Sequence, residues 1–147
     1  MAHVAEVVAL VTAVTNLLAG AFGAWRWWLV EPSRTFWVLC RAGQGLAVVQ
    51  AAVAGVLAAL GFDPAADLYW LYALLPVAVS FVAEQLRVTA AEAVLDARNL
   101  EDAKAVGELD EAAQRSVVLA IVRREMGVMA ASAVVVAFLA ARAWGTA

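Results

Sequence analysis

An all-α integral membrane protein is the fold class this sequence predicts: a four-helix transmembrane bundle whose third and fourth helices extend into a cytoplasmic helical hairpin. Of the 147 residues, 65% are apolar and 16% are charged, against about 45–50% and about 25% in a soluble domain. Mean hydropathy is +0.84. Charges are missing from four long stretches, and nine of the ten Lys and Arg residues crowd two connecting regions. The apolar excess excludes a water-soluble enzyme of ordinary type and a disordered chain. Cys40, the single cysteine, excludes a disulfide scaffold. With a net charge of −3, no nucleic-acid partner is expected.

A hydrocarbon core about 30 Å thick needs about 20 apolar residues in a helix. Val7–Trp25 is uncharged over 19 residues and Ala42–Phe62 over 21; Leu68–Ala83 and Met126–Ala141 are uncharged over 16 each. The last two reach a full span when Glu84 and Arg87, or Arg124 and Glu125, sit at the boundary and snorkel. The expected spans are 4–25, 36–61, 66–87 and 123–144, with 88–122 as the hairpin and 1–147 as one transmembrane domain. Met1–Glu6 lacks the basic n-region of a signal peptide, so the first helix is read as retained.

The turns carry their own signals. The first two helices should turn around Glu31-Pro32-Ser33. Gly61 suits the left-handed position after a helix end. Asp63 before Pro64 reads as an N-cap followed by proline at the first helical position, with Asp67 in the first turn. The third helix is therefore expected to begin at Pro64.

Arg26, Arg34 and Arg41 flank the first turn; Arg87, Arg98, Lys104, Arg115, Arg123 and Arg124 lie between the third and fourth spans. The positive-inside rule puts both regions in the cytoplasm and both termini outside, in the cell (inner) membrane. Trp25, Trp27, Trp28 and Trp37 then form an inner aromatic belt, and Tyr69, Trp70, Tyr72 and Trp144 an outer one.

Residues 87–124 are rich in helix formers, contain no proline and have Gly107 as their one glycine. Leu86, Ala90, Ala93, Ala97 and Leu100 recur at helical spacing, as do Leu109, Ala113, Val117 and Ala120. The third helix should then run to about Lys104, roughly 60 Å, and meet the fourth near Gly107. This segment fits a solvated hairpin or a docking or gating element.

Small residues at four-residue spacing predict close helix packing. They are Thr12, Asn16, Gly20 and Ala24; Ala47, Ala51, Gly55 and Ala59; and Ala133, Ala137 and Ala141. Their partners lie in the same chain or in a second copy, so a homo-oligomer is one expectation.

The third span carries a polar stripe: Tyr69, Tyr72, Pro76, Ser80, Glu84 and Arg87. Pro76 frees the carbonyl of Tyr72. Such a stripe should avoid lipid. Arg41, Gln44 and Gln50 on the second span, Asn16 on the first, and Arg123, Arg124 and Glu125 on the fourth are the other polar groups. The candidate pathway is Arg41, Gln44, Tyr72, Ser80, Glu84, Arg87 and Glu125. The same charged residues also fit a structural network of boundary ion pairs. His3 and Glu6 supply two ligands, too few for a zinc site, so no metal and no cofactor are expected. Cys40 reads as a small buried hydrophobe.

The sequence contains no P-loop, GxGxxG, HExxH or TVGYG motif. The run Thr89-Ala90-Ala91-Glu92-Ala93-Val94-Leu95-Asp96 is similar to the carboxylate helix of the small bacterial diacylglycerol and undecaprenol kinases. That resemblance implies Glu92 as a metal and nucleotide carboxylate, with Asp96 behind it. Val88 departs from the family's Asn, the family's His and Lys-Asp pair are missing, and the first helix is extra.

The function expected from these residues is an oligomeric transporter or channel-like protein for a proton, ion or small solute, not an enzyme. One alternative is a structural or accessory subunit binding a membrane or cytoplasmic protein partner. A second is a cytoplasm-facing, kinase-like lipid enzyme.

Overall fold

The computed structural model describes residues 1–147. Its elements are α1 (Ala2–Leu29), α2 (Arg34–Ala59), α3 (Leu68–Asp96), α4 (Ala103–Gly107) and α5 (Glu111–Trp144), with no strand. The helices α1, α2, α3 and α5 are each long and apolar enough to cross a membrane. They form a ring: α1 and α3 each pack against both α2 and α5, whereas α2 barely meets α5.

Burial alternates at three and four residues. In α2 the buried line is Phe36, Cys40, Gly43, Ala47, Gln50, Ala54 and Leu57; in α1 it includes Ala5, Ala9, Thr12, Asn16, Ala19 and Gly23. In α5 it includes Met126, Met129, Ala133, Val136, Ala140 and Ala143. A 3.5-residue repeat is the seam of left-handed helix packing. It corrects the four-residue stripes read from the sequence. Thr12, Asn16, Gly20, Ala47, Ala133 and Ala137 are buried, but Ala24, Gly55, Ala59 and Ala141 are exposed. A strict step of four turns the helix about 40° per step, so each stripe drifts off the seam.

Two apolar clusters fill the interior. One, towards the arginine-rich end, groups Phe36, Cys40, Ala83, Met126 and Met129 with neighbouring alanines. The other groups Ala5, Ala9, Ala54, Leu57, Tyr69, Ala73 and Ala143. Buried polar groups join the helices as well. The Thr12 hydroxyl donates to the Val8 carbonyl at 2.8 Å, and Asn16 Nδ2 donates to the carbonyls of Thr12 (2.9 Å) and Gly43 (3.2 Å). Each group thus meets its hydrogen-bonding requirement inside the bundle.

Three helix ends close in one way, with a left-handed residue and paired reverse hydrogen bonds. After α2, Gly61 (φ 75°) lets Gly61 N–H reach Ala58 O at 3.0 Å and Phe62 N–H reach Leu57 O at 2.9 Å. After α3, Asn99 (φ 54°) does the same, with Leu100 N–H on Leu95 O at 3.0 Å. Helix α3 therefore stops at Asp96, well short of Lys104. Its 29 residues measure about 43 Å. Asp102 then caps the short α4 through Ala105 N–H at 2.9 Å, and Asp110 caps α5 through Ala113 N–H at 2.7 Å.

The start of α3 also differs from the expectation. It begins at Leu68 rather than Pro64, and Asp67 makes no side-chain cap bond. Instead, the amides of Ala65 and Ala66 donate to the carbonyls of Ala147 (3.5 Å) and Thr146 (3.2 Å). These bonds tie the segment before α3 to the end of the chain.

The end of α1 uses Val30 at φ 54°, with Val30 N–H on Trp27 O at 3.2 Å and Glu31 N–H on Arg26 O at 3.1 Å. A β-branched residue is a genuine outlier there. Val30→Gly is expected to stabilise the protein by about 0.5–1 kcal/mol, since relief of the left-handed penalty outweighs the extra unfolded-state entropy. A chemical-unfolding midpoint in detergent checks this; an unchanged or lower midpoint contradicts it.

Candidate functional site

Five of the seven predicted residues meet at the arginine-rich end, on three helices. Helix α2 presents Arg41 and Gln44, three residues apart on one face. Helix α3 presents Glu84 and Arg87 at the same spacing, and α5 presents Glu125. Ser33 fixes the start of α2 by accepting from Phe36 N–H at 3.3 Å.

Glu84 is the hub. Its Oε1 accepts from Arg41 Nη1 at 2.6 Å and Gln44 Nε2 at 2.8 Å. Its Oε2 accepts from Arg87 Nε at 3.1 Å and Arg41 Nη2 at 3.4 Å. Arg41 Nη1 also donates to Gln44 Oε1 at 2.8 Å, which orients the amide. Arg87 continues the chain, with Nη1 donating to Glu125 Oε1 at 3.3 Å. The Arg87 guanidinium also lies 5.8 Å from the centre of the Trp37 ring. Side-chain exposure falls from 55% at Arg41 to 27%, 25% and 19% at Arg87, Glu84 and Glu125. The cluster pairs two cations with two carboxylates and so carries no net charge.

Beside this hub lies a small, partly open cavity of about 10 Å³, lined by Asn16, Cys40, Gln44, Ser80, Ser132 and Met129, among others. That volume suits about one water molecule. The hydroxyls on its wall bind their own helices: Ser80 donates to Pro76 O at 2.8 Å and Ser132 to Met129 O at 2.9 Å. Farther on, Gln50 Nε2 donates to Ala73 O at 3.3 Å, and Gln50 Oε1 is buried with no partner.

Tyr72 does not join the group. It lies twelve residues before Glu84, about 18 Å along the helix, and Arg142 stacks over its ring at 5.5 Å. Ser80 touches the cavity but not the ion pairs. Sequence reasoning missed Ser132 and Trp37. Ser132 was legible as one heptad after Glu125, and therefore on the same face.

No protein-family model, curated protein or solved structure matches this chain. The kinase likeness of residues 89–96 therefore stands on those residues alone. Glu92 and Asp96 are both exposed near the end of α3. No group of three or more His, Cys, Asp or Glu side chains comes together to hold a metal ion.

Proposed function

We propose that this chain is a multi-pass inner-membrane protein with both termini outside and residues 88–122 in the cytoplasm. In this reading it works as an oligomeric transporter or channel-like protein for a proton, an ion or a small solute. The supporting observation is the group of polar residues Asn16, Gln44, Ser80 and Ser132 around one small cavity, tied to Glu84 through Gln44 Nε2, which donates to Glu84 Oε1 at 2.8 Å. An ionisable group inside a membrane is expensive unless it is used or paired. Here Glu84 is the responsive group. Protonating it removes the charge that holds Arg41 and Arg87, which frees the mouth of the cavity. Pro76, buried in α3, removes a backbone hydrogen bond there and would be the point at which that helix flexes in this reading. With a cavity of about 10 Å³, this conformation is the closed one.

Flux through purified protein in liposomes, under an imposed proton or cation gradient, tests this reading. Wild type is expected to conduct, and Glu84→Gln to fall to the level of empty liposomes while keeping its unfolding midpoint within about 1 kcal/mol. No flux from a folded wild type would retire the proposal.

One observation favours a second reading, a structural or accessory subunit for a membrane or cytoplasmic protein partner. Arg41, Glu84, Arg87 and Glu125 neutralise one another, as a static brace would. That reading expects a co-purifying partner, no intrinsic flux, and a Glu84→Gln effect confined to stability.

A further inference from the structure

A second basic feature lies apart from the Glu84 network. Helix α1 ends at Leu29, while α3 and α5 continue past it. The shoulder so formed is a cavity of about 610 Å³, lined by Trp27, Arg98, Ser116, Arg123 and Arg124 together with apolar residues that include Val30. This volume lies within the usual range for a small-molecule site.

Three of the chain's arginines converge on this cavity, with no acid in its lining. Arg26, Arg41 and Arg87 each hold a carboxylate, but no ion pair includes Arg98, Arg123 or Arg124. Three guanidiniums therefore line one concavity without a counter-charge. Glu31, the nearest acid in sequence to Val30, is engaged by Arg26 at 2.8 Å. Two of the three side chains are already positioned. Arg123 stacks over Trp27 at 5.3 Å, and Arg98 Nη1 donates to Ser116 Oγ at 3.1 Å. The Ser116 hydroxyl, accepting from Arg98, still has its own proton to donate.

We propose that this cavity binds the phosphate of an anionic phospholipid headgroup. Planar guanidinium forks match phosphate oxygens in pairs, and Arg is the residue suited to such recognition. Height along the bundle selects lipid as the source. Arg123 and Arg124 lie just before Glu125 and the uncharged stretch Met126–Ala141, so the cavity opens at headgroup level, with Trp27 as an interfacial anchor. Basic pockets between helices on the cytoplasmic side have this character. The inference rests on the membrane placement given above, and not on transport.

Native mass spectrometry of the detergent-purified protein tests it, with phosphatidylglycerol, phosphatidylcholine or inorganic phosphate added. Wild type is expected to retain phosphatidylglycerol and to shed phosphatidylcholine. The triple variant Arg98→Gln/Arg123→Gln/Arg124→Gln should bind phosphatidylglycerol more weakly, on the order of tenfold or more. The double variant Arg34→Gln/Arg115→Gln removes charge outside the cavity and should bind as wild type does. Equal retention of both lipids, or equal loss in the triple and double variants, would overturn the assignment. So would protection by inorganic phosphate with no lipid retained, which points to a free phosphate instead. A rise in the wild-type unfolding temperature with phosphatidylglycerol, but not with phosphatidylcholine, supports the site without any variant; equal rises overturn it. A chain that needs no detergent to stay soluble would defeat the membrane placement itself, a distinct outcome from lost lipid selectivity.

Discussion

Gly20→Ala is expected to destabilise the bundle by about 1–3 kcal/mol, the cost of overpacking a tight interior. A Cβ on Gly20 would lie 2.6 Å from Val134 Cγ2, 3.2 Å from Val134 N and 3.3 Å from Ala130 O. The last two are backbone atoms of α5, so no rotamer change relieves them, and α1 must move away. Gly23 has a similar role, since a Cβ there meets the ring of Phe36 and the methyl of Ala130. Lipid gives no hydrophobic drive for helix association, so close approach carries much of the binding between helices. Gly45 is the control. Nothing lies within 4 Å of a Cβ there, and Gly45→Ala should be neutral or stabilising by up to about 1 kcal/mol. Unfolding curves in detergent compare the two directly. Equal midpoints would mean that α1 and α5 do not meet at Gly20.

Arg87→Ala should have the larger effect among the charged residues, about 2 kcal/mol, because it leaves two part-buried carboxylates short of a partner. Arg87 reaches Glu84 at 3.1 Å and Glu125 at 3.3 Å. Arg41→Ala should cost less, under about 1 kcal/mol, since its side chain is 55% exposed and solvent screens the pair. Arg87→Lys should recover only part of the loss, because one ammonium does not reproduce the separate Nε and Nη1 bonds. A double-mutant cycle between Arg87→Ala and Glu125→Gln reads the coupling free of other losses. Zero coupling would show that the α3–α5 link does not form. A cost at Arg41 exceeding that at Arg87 would reverse the order of importance argued from burial.

Residues near in sequence made part of the site legible. Glu84 and Arg87 are one turn apart, so their pairing follows from helix geometry alone. The charge-free stretches likewise foretold four long apolar helices, and Gly61 marked its own left-handed turn. The turn after α1 was expected around Glu31-Pro32-Ser33 and falls there, but its left-handed residue Val30 carries no signal; the stop at Asp96 was not legible, because Asn99 is a weaker signal for a left-handed residue than glycine. The start of α3 at Leu68 was not legible either: Asp63-Pro64 reads as a helix start, but residues 65 and 66 instead bond the carbonyls of Ala147 and Thr146 at the far end of the chain.

Composition and charge order, local properties of the chain, determined by themselves that the protein is helical, apolar and basic in two connecting regions. Only the tertiary structure decided that Arg41 reaches Glu84 across 43 residues, that Arg98 meets Ser116, and that Tyr72 stands apart. It also decided which small residues are buried. The seam between packed helices repeats every 3.5 residues, whereas a lone helix turns every 3.6, and the choice between them is made only when the helices touch.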